Sequence, residues 1–118
     1  QGSSIDSGVV EQVRNFAENS NRVMVILDSN HTHAHVMKEL ESYSSLVSEG
    51  CYMVVFDTLI EDMPKGSFPD RPWDKGDNPR TAVDAFLKTT NRFQVDADMD
   101  AKLQISVAPS GYLKCVAD

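Results

Sequence analysis

Two aspartates and a histidine follow apolar stretches of the sequence in a pattern that suits metal-assisted proton transfer. Asp28 ends the apolar run 23–27, and His31 follows after a short polar turn. Asp57 ends a second apolar run, 51–56. Two carboxylates at one edge of a sheet can share a divalent cation, and an imidazole beside them can accept a proton near neutral pH. The pattern therefore predicts one site built from Asp28, His31 and Asp57.

Each aspartate also has a simpler interpretation. An aspartate directly after a strand often caps the following loop and takes no part in chemistry. For Asp28 or Asp57 alone the sequence leaves both interpretations open. Only their expected placement at the same sheet edge favours a site.

Two further histidines, His33 and His35, follow His31. His31 and His35 would share one helical face at a spacing of four, as ligands in zinc sites do, but the sequence has no H-E-x-x-H pattern. We therefore expect His35 to be a packed or hydrogen-bonding helix residue and His33 to be exposed. A metal-dependent hydrolase that uses Asp28, His31, His35 and Asp57 is kept as an alternative.

The elements that must position these groups follow from the apolar spacing. Helices are predicted over 5–16, from Thr32 to about 47, and from Pro79 with Asn78 as its cap. Strands are predicted at 23–27, 51–56, 93–95, 103–107 and 112–116. The run 23–27 is typical of a strand buried on both faces, and strand, helix, strand in this order predicts parallel pairing.

The later part of the chain has a different character. The last two strands are separated by Pro109-Ser110-Gly111, which predicts an antiparallel hairpin. The acidic run 96–100 is expected to be a solvated turn between the last strands. Segment 58–78 is rich in proline and glycine, and it is predicted to be a long lid-like loop, with Trp73 either covering a substrate or anchoring the loop on the core.

The composition excludes several classes of protein. The chain has 118 residues and a net charge of −7, from 11 basic and 18 acidic residues without a basic cluster. Binding to nucleic acid or to an anionic membrane surface is therefore not expected. No membrane span or signal-peptide pattern is evident, which favours a cytoplasmic protein. Cys51 and Cys115 are expected to be buried thiols.

Four segments carry a resemblance to a known family. They are 2–6 (GSSID), 27–31 (LDSNH) followed by His35-Val36, 54–58 (VVFDT) and 71–73 (RPW). In this order, and over nearly all of the chain, they resemble the cephalosporin hydroxylase family. That family is similar to metal-dependent, S-adenosylmethionine-dependent O-methyltransferases. The resemblance implies a methyltransferase whose partner is a small-molecule acceptor, namely a hydroxyl of a sugar or a secondary metabolite.

The resemblance also implies roles for individual residues. Asp28 and Asp57 match positions that bind the metal, expected to be Mg²⁺, and His31 matches a catalytic general base. Ser3 and Ser4, together with Asp28, match positions that bind the cofactor.

One position departs from the family pattern. Many relatives carry an acid directly before Asp57, where this chain has Phe56. Loss of that ligand should weaken the binding of Mg²⁺, unless Glu61 or Asp62 replaces it. A metal-free variant that uses His31 alone is the other outcome.

The implied fold class is α/β, as the C-terminal half of a Rossmann-like methyltransferase sheet whose parallel strands end in an antiparallel pair. Residues 1–118 would form a single partial domain, since a glycine-rich cofactor turn is expected upstream. We therefore expect the fragment to be inactive, with no tight binding of S-adenosylmethionine by calorimetry. The strand at 23–27 would then have an open hydrophobic edge, which predicts a homo-oligomer. A non-catalytic half-domain that serves assembly is a further alternative.

Overall fold

Helices and a four-stranded mixed sheet make up the structure, a computed structural model that describes all 118 residues. The α-helices are α1 (Ser7–Glu18), α2 (His33–Tyr43), α3 (Pro79–Leu87) and α4 (Ala97–Leu103). The strands are β1 (Val25–Leu27), β2 (Tyr52–Val55), β3 (Phe93–Val95) and β4 (Tyr112–Cys115). None of the helices combines the length and the apolar character that a membrane crossing requires.

The strand order is β1-β2-β4-β3, with β1 parallel to β2 and both other pairs antiparallel. This confirms an α/β fold in which a parallel pair is followed by antiparallel pairing. In the parallel pair Leu27 lies beside Val55. The residues that follow β1 and β2 therefore emerge at the same edge of the sheet.

The core lies between the sheet and helices α2 and α3. Side chains from all four strands meet the apolar stripe of α2 and the buried face of α3, and the most deeply buried are Leu40, Met53, Val83, Leu113 and Cys115. The predicted helices are confirmed in type and place. Asn78 caps α3 by accepting from the backbone N–H groups of Arg80 and Thr81, and Pro79 occupies the first turn.

The prediction that β1 is buried on both faces is wrong. Leu27 is buried, but the neighbouring Ile26 is 52% exposed and Met24 is 56% exposed. Helix α2 covers one face of β1, whereas α1 contributes no buried residue. β1 also pairs with β2 alone, so the strand lies at an edge of the sheet.

The predicted hairpin between 103–107 and 112–116 is also wrong. Residues 97–103 form helix α4, Ile105 is 94% exposed, and β4 pairs with β2 and β3 instead. The acidic run 96–100 is therefore a helix start and not a turn. Its first residue, Asp96, accepts from the backbone N–H of Met99, and negative charge is favourable in the first turn of a helix.

Both cysteines are free thiols, and Cys115 is fully buried as expected. Cys51 is only partly buried. Segment 58–78 starts with a short 3-10 helix, Thr58–Asp62, and continues through turns to α3.

Candidate active site

Asp28, His31 and Asp57 meet at the sheet edge where β1 and β2 end. The Nε2 atom of His31 lies 2.9 Å from Oδ2 of Asp57 and 3.8 Å from Oδ1 of Asp28. One ligand atom from each of the three residues lies within 4.8 Å of the others. The arrangement gives two carboxylates and an imidazole around one point, at the sheet edge where the strand ends predict them.

The backbone brings Asp57 into this cluster in an uncommon conformation. The N–H of Phe56 donates to the carbonyl of Leu27 at 3.1 Å, which extends the pairing of β1 and β2 to the start of the site. Asp57 itself has φ 61° and ψ 23°, in the left-handed region. Its side chain makes no capping hydrogen bond to the following 3-10 helix and instead contacts His31. The capping interpretation is therefore not supported for Asp57.

The electrostatics of the cluster favour a positive charge in it. Burial raises the pKa of the Asp57 carboxyl above its usual value, and the negative charge and hydrogen bond of Asp28 raise it further, while His31 opposes the shift. A cation would offset both the burial of the Asp57 carboxylate and the repulsion between the two negative charges. Carboxylate oxygens are the ligands that Mg²⁺ prefers, so the donor set fits this ion.

An aromatic side chain from segment 58–78 borders His31, and a cationic side chain of the same segment lies against that aromatic ring. The Trp73 ring lies edge to face with the imidazole, with ring centroids 4.6 Å apart and an interplanar angle of 62°. The guanidinium carbon of Arg71 lies 5.5 Å from the centroid of the Trp73 ring. The segment thus reaches the site and contributes one wall of it.

Glu61, one of the two acids that could replace the missing metal ligand, forms hydrogen bonds within segment 58–78 instead. The carboxylate of Glu61 accepts from the N–H of Gly76, and its carbonyl accepts from Nζ of Lys75. Asp62 is exposed and does not belong to the cluster. The prediction that Glu61 or Asp62 substitutes for the acid missing at Phe56 is therefore not supported, and the carboxylates of the cluster are Asp28 and Asp57.

The prediction that His33 is exposed is wrong. Its ring Nδ1 lies 2.8 Å from Oγ1 of Thr81, and its backbone N–H donates to Oδ1 of Asp77 at 2.7 Å. Both contacts join the start of α2 to the end of segment 58–78 and to α3. His33 is therefore half-buried and serves the packing of these elements.

His35 is a hydrogen-bonding helix residue, as expected, and it lies apart from the Asp28, His31 and Asp57 cluster. Its Nε2 atom is 3.3 Å from Oε1 of Glu39, one helical turn later. The same nitrogen lies 3.1 Å from the hydroxyl of Ser4 and 3.2 Å from that of Ser29. His31 precedes α2, so the two histidines do not share a helical face.

Glu39 is a buried residue that sequence reasoning missed. Its side chain is 2% exposed, and its Oε1 accepts from the hydroxyls of Ser4 and Ser29 at 2.5 and 2.6 Å. The available signal was its position beside Leu40 and one turn after Val36 and His35 in the apolar stripe of α2. The burial also depends on serines distant in sequence, which no local pattern indicates.

Ser3 and Ser4 lie in the segment before α1. The backbone N–H of Ser3 donates to Asp6, and the carbonyl of Ser4 accepts from the hydroxyl of Tyr43 at 2.5 Å. A cleft of about 430 Å³ with mainly apolar walls runs beside β1, and its lining includes Ser4, Asp28, Ser29 and Glu39. The structure thus brings Ser4 and Asp28, two of the residues assigned to the cofactor, to one cleft.

Comparison with known proteins finds a family whose sequence profile covers nearly the whole chain. The sequence profile of the family described as rhamnosyl O-methyltransferase/CmcI matches residues 1–116. A rhamnosyl O-methyltransferase of Mycobacterium tuberculosis (strain ATCC 25618 / H37Rv) is 31% identical over 115 residues, which are 96% of this chain. The rhamnosyl O-methyltransferase of Mycobacterium bovis (strain BCG / Pasteur 1173P2) matches to the same extent. The chain spans 44% of the length of these relatives. No solved structure matches.

Proposed function

Because the chain belongs to the rhamnosyl O-methyltransferase/CmcI family of O-methyltransferases, we propose that the protein transfers a methyl group to a hydroxyl of a sugar. The family implies S-adenosylmethionine as the methyl donor. The resemblance to the cephalosporin hydroxylase family points to the same chemistry. The observation that carries the proposal is the meeting of Asp28, His31 and Asp57 within 4.8 Å, at the edge of the sheet.

His31 is the proposed general base. Methyl transfer to a hydroxyl requires that the acceptor lose its proton as it attacks, and an imidazole has an unperturbed pKa suited to take that proton near neutral pH. Asp57 lies 2.9 Å from Nε2 of His31, so it orients the ring and stabilises the imidazolium that forms. Trp73 packs edge to face against the ring and limits the positions that the ring can adopt.

Asp28 and Asp57 are the proposed ligands of a magnesium ion. A bound Mg²⁺ supplies Lewis-acid chemistry by lowering the pKa of a coordinated hydroxyl. Two carboxylate ligands are enough for such a site, because Mg²⁺ usually binds one or two protein carboxylates and retains several waters. The role of this chain is to place both carboxylates next to the base, so that deprotonation and attack concern the same oxygen.

The cofactor is proposed to lie against Ser3, Ser4 and Asp28. Ser4 is held from two sides, because its hydroxyl donates to Glu39 and its carbonyl accepts from Tyr43. The cleft beside β1 offers apolar walls next to these polar groups. Such a combination is typical of sites for small organic molecules.

The test is methyl transfer from labelled S-adenosylmethionine to a rhamnose-containing acceptor, by the complete protein that carries these 118 residues. We expect transfer to require Mg²⁺, and the variant His31→Ala to lose roughly 10²- to 10⁴-fold in rate, the usual contribution of a general base. The exposed Asp62→Asn is the matched acidic control near the site and should retain full activity. Transfer that is unchanged in excess EDTA would refute the role of the metal.

The alternative of a metal-dependent hydrolase loses its fourth residue. The Nε2 atom of His35 is surrounded by the hydroxyls of Ser4 and Ser29 and by Oε1 of Glu39. The group that can hold an ion consists of Asp28, His31 and Asp57, without His35. Stoichiometric zinc in protein purified without added metal, together with a product that contains oxygen from water, would restore that alternative.

Association of the 118-residue chain into a homo-oligomer in the absence of cofactor is also proposed. Its support is an exposed apolar surface at the free edge of the sheet, where Met24 and Ile26 are more than half exposed and share a cleft with Val13 of α1. A contiguous apolar surface of this kind is a common site of contact with another chain.

A further inference from the structure

We propose that Glu39 is a positioning residue for the candidate site, and that it acts by holding Ser29 and thereby the loop that carries Asp28 and His31. This inference rests on the proposed function, because it explains how the base and the metal ligands keep their places. Glu39 lines the cleft beside β1 together with Asp28, but it does not belong to the cluster of Asp28, His31 and Asp57.

The contacts of Glu39 show that it is built into the fold. The side chain is 2% exposed, and Oε1 receives hydroxyl hydrogen bonds from Ser29 and Ser4 at 2.6 and 2.5 Å and lies 3.3 Å from Nε2 of His35. The other oxygen, Oε2, is buried and has no partner. A buried carboxylate with an unpartnered oxygen is costly for stability, and an apolar side chain would fill the same place at lower cost. Such a residue suggests a role other than stability.

Ser29 is the link between this carboxylate and the site. It directly follows Asp28 and directly precedes Asn30, whose Oδ1 accepts from the N–H and the hydroxyl of Thr32. The loop from Asp28 to Thr32 is thus fixed at its far end by Asn30 and at its near end by Ser29. The near end is the one that carries Asp28.

Asp28 needs such support because its side chain is largely exposed and its hydrogen bond with Asp57 requires a proton shared between two carboxylates. The Asp28 side chain is 55% exposed, and its distance of 3.8 Å from His31 is too long for a hydrogen bond. Its position therefore depends on the backbone of the loop. Release of Ser29 from Glu39 would let Asp28 move away from His31 and Asp57, and a shift of about 1 Å is enough to impair a site of this kind.

Ser4 provides an internal comparison. It donates to the same Oε1 atom of Glu39, but it lies before α1 and has a second anchor in the hydroxyl of Tyr43. Loss of either serine hydroxyl removes one donor from Glu39. Only the loss at Ser29 frees the loop that contains Asp28.

The first experiment measures Mg²⁺ affinity of the 118-residue chain by titration calorimetry. We expect Ser29→Ala and Glu39→Leu each to weaken binding of Mg²⁺ about tenfold, the lower end of the effect known for groups that orient metal ligands. Ser4→Ala and Glu39→Gln, which keeps an acceptor at Oε1, should stay within about twofold by the same argument. Glu41→Leu makes the same chemical change at an exposed position of α2 and should have no effect.

The second experiment does not depend on the metal. Trp73 is the only tryptophan of the chain, and its ring lies 4.6 Å from His31, so its indole N–H gives one nuclear magnetic resonance signal that reports on the loop. We expect Ser29→Ala to shift that signal and Ser4→Ala to leave it in place. Equal shifts in both variants, or none in Ser29→Ala, would overturn the inference.

The two experiments separate this inference from the proposed function. If the unmodified chain does not bind Mg²⁺ but Ser29→Ala shifts the Trp73 signal, the metal role fails and the positioning role stands. If the chain binds Mg²⁺ and Ser29→Ala binds it equally well, the positioning role fails and the metal role stands. Because Ser29→Ala removes a single oxygen from a surface loop, it keeps the test valid even if Glu39→Leu does not fold.

Discussion

Asp57 lies where the proposed chemistry needs it, although two of its features are unfavourable for folding. Its backbone is left-handed, which costs an L-residue about 1 kcal/mol or more, although aspartate tolerates it better than most. Its carboxyl group has a raised pKa because of burial and of Asp28. Unfavourable local features that persist in a structure are typical of functional positions.

The first prediction concerns the variant Asp57→Asn in the absence and presence of Mg²⁺. A raised pKa in the folded state means that the charged carboxylate is disfavoured there, so stability increases as the pH falls through that pKa towards 3.8. At neutral pH, asparagine removes the charge, keeps an acceptor for His31 and tolerates the left-handed backbone. In EDTA we therefore expect a gain of roughly 0.3–0.5 kcal/mol, small because the Asp57 side chain is 31% exposed.

Addition of Mg²⁺ should reverse this difference in stability, so that the unmodified chain becomes more stable than Asp57→Asn. At ten times its Kd, a ligand that binds only the folded state stabilises by about 1.4 kcal/mol, or roughly 4–6 °C in Tm for a chain of this size. We expect this gain for the unmodified chain and for the exposed control Asp62→Asn, but not for Asp57→Asn. Thermal melts followed by circular dichroism give both values. An Asp57→Asn variant with the same Mg²⁺ shift as the unmodified chain would contradict the prediction.

The residues of the cluster could be predicted from the sequence, whereas the buried Glu39 that contacts their loop could not. Asp28 and Asp57 each end an apolar run, and strand pairing alone brings such ends together. Glu39 lies in the apolar stripe of α2, which indicates a buried position but not the partners of a buried carboxylate. Its burial depends on Ser4, 35 residues away, and a contact across that separation leaves no periodic signal in the sequence.

At the scale of elements, the parallel pair β1 and β2 determines the site, and the antiparallel strands complete the sheet. Parallel pairing could be predicted because a helix of the correct length connects the two runs. The hairpin could not be excluded from sequence, since the apolar residues Leu103, Ile105 and Val107 alternate as in a strand. The outcome was decided by Asp96, which caps α4 and is bonded to Tyr52 of β2. A tertiary contact thus overrode the local pattern.

The second prediction tests this contact with the variant Tyr52→Phe. The hydroxyl of Tyr52 donates to Oδ2 of Asp96 at 2.5 Å, which lowers the pKa of Asp96 and raises that of Tyr52. The lowered pKa of Asp96 means that the stability from this bond is present above pH 3.8 and is lost as the pH falls through the lower folded value. The raised pKa of Tyr52 means that the stability from this bond is also present below pH 10.0 and is lost as the pH rises through the higher folded value.

We therefore expect Tyr52→Phe to lower the Tm by roughly 2–5 °C at pH 7, as loss of one hydrogen bond does in a domain of this size. The difference from the unmodified chain should decrease below pH 3.8 and above pH 10. Tyr112→Phe, on the neighbouring strand β4, is the matched control and should show no comparable dependence on pH. A difference for Tyr52→Phe that is constant between pH 3 and pH 7 would show that the contact with Asp96 does not stabilise α4.

At the scale of the whole molecule, the two edges of the sheet differ. β3 lies at one edge, and β1 lies at the other with an exposed apolar face formed by Met24 and Ile26. Helix α1 adds Phe16 and Val13, which are also exposed. The open edge at β1 was predicted from the resemblance, while the exposed face was not, because a run of apolar residues looks the same whether one face or both faces are covered.

The third prediction is that this surface drives association. The 118-residue chain should form dimers or larger species in solution, as measured by light scattering coupled to size-exclusion chromatography. Ile26→Lys places a charge in the centre of the apolar surface, at a position that is 52% exposed, so it should shift the chain towards monomer without loss of helix content. The matched control is Ile105→Lys, which makes the same change at a position that is 94% exposed, near the end of α4. If both variants and the unmodified chain are monodisperse monomers, the apolar surface at β1 does not mediate self-association. If Ile105→Lys dissociates the oligomer as well as Ile26→Lys does, the contact between chains lies elsewhere.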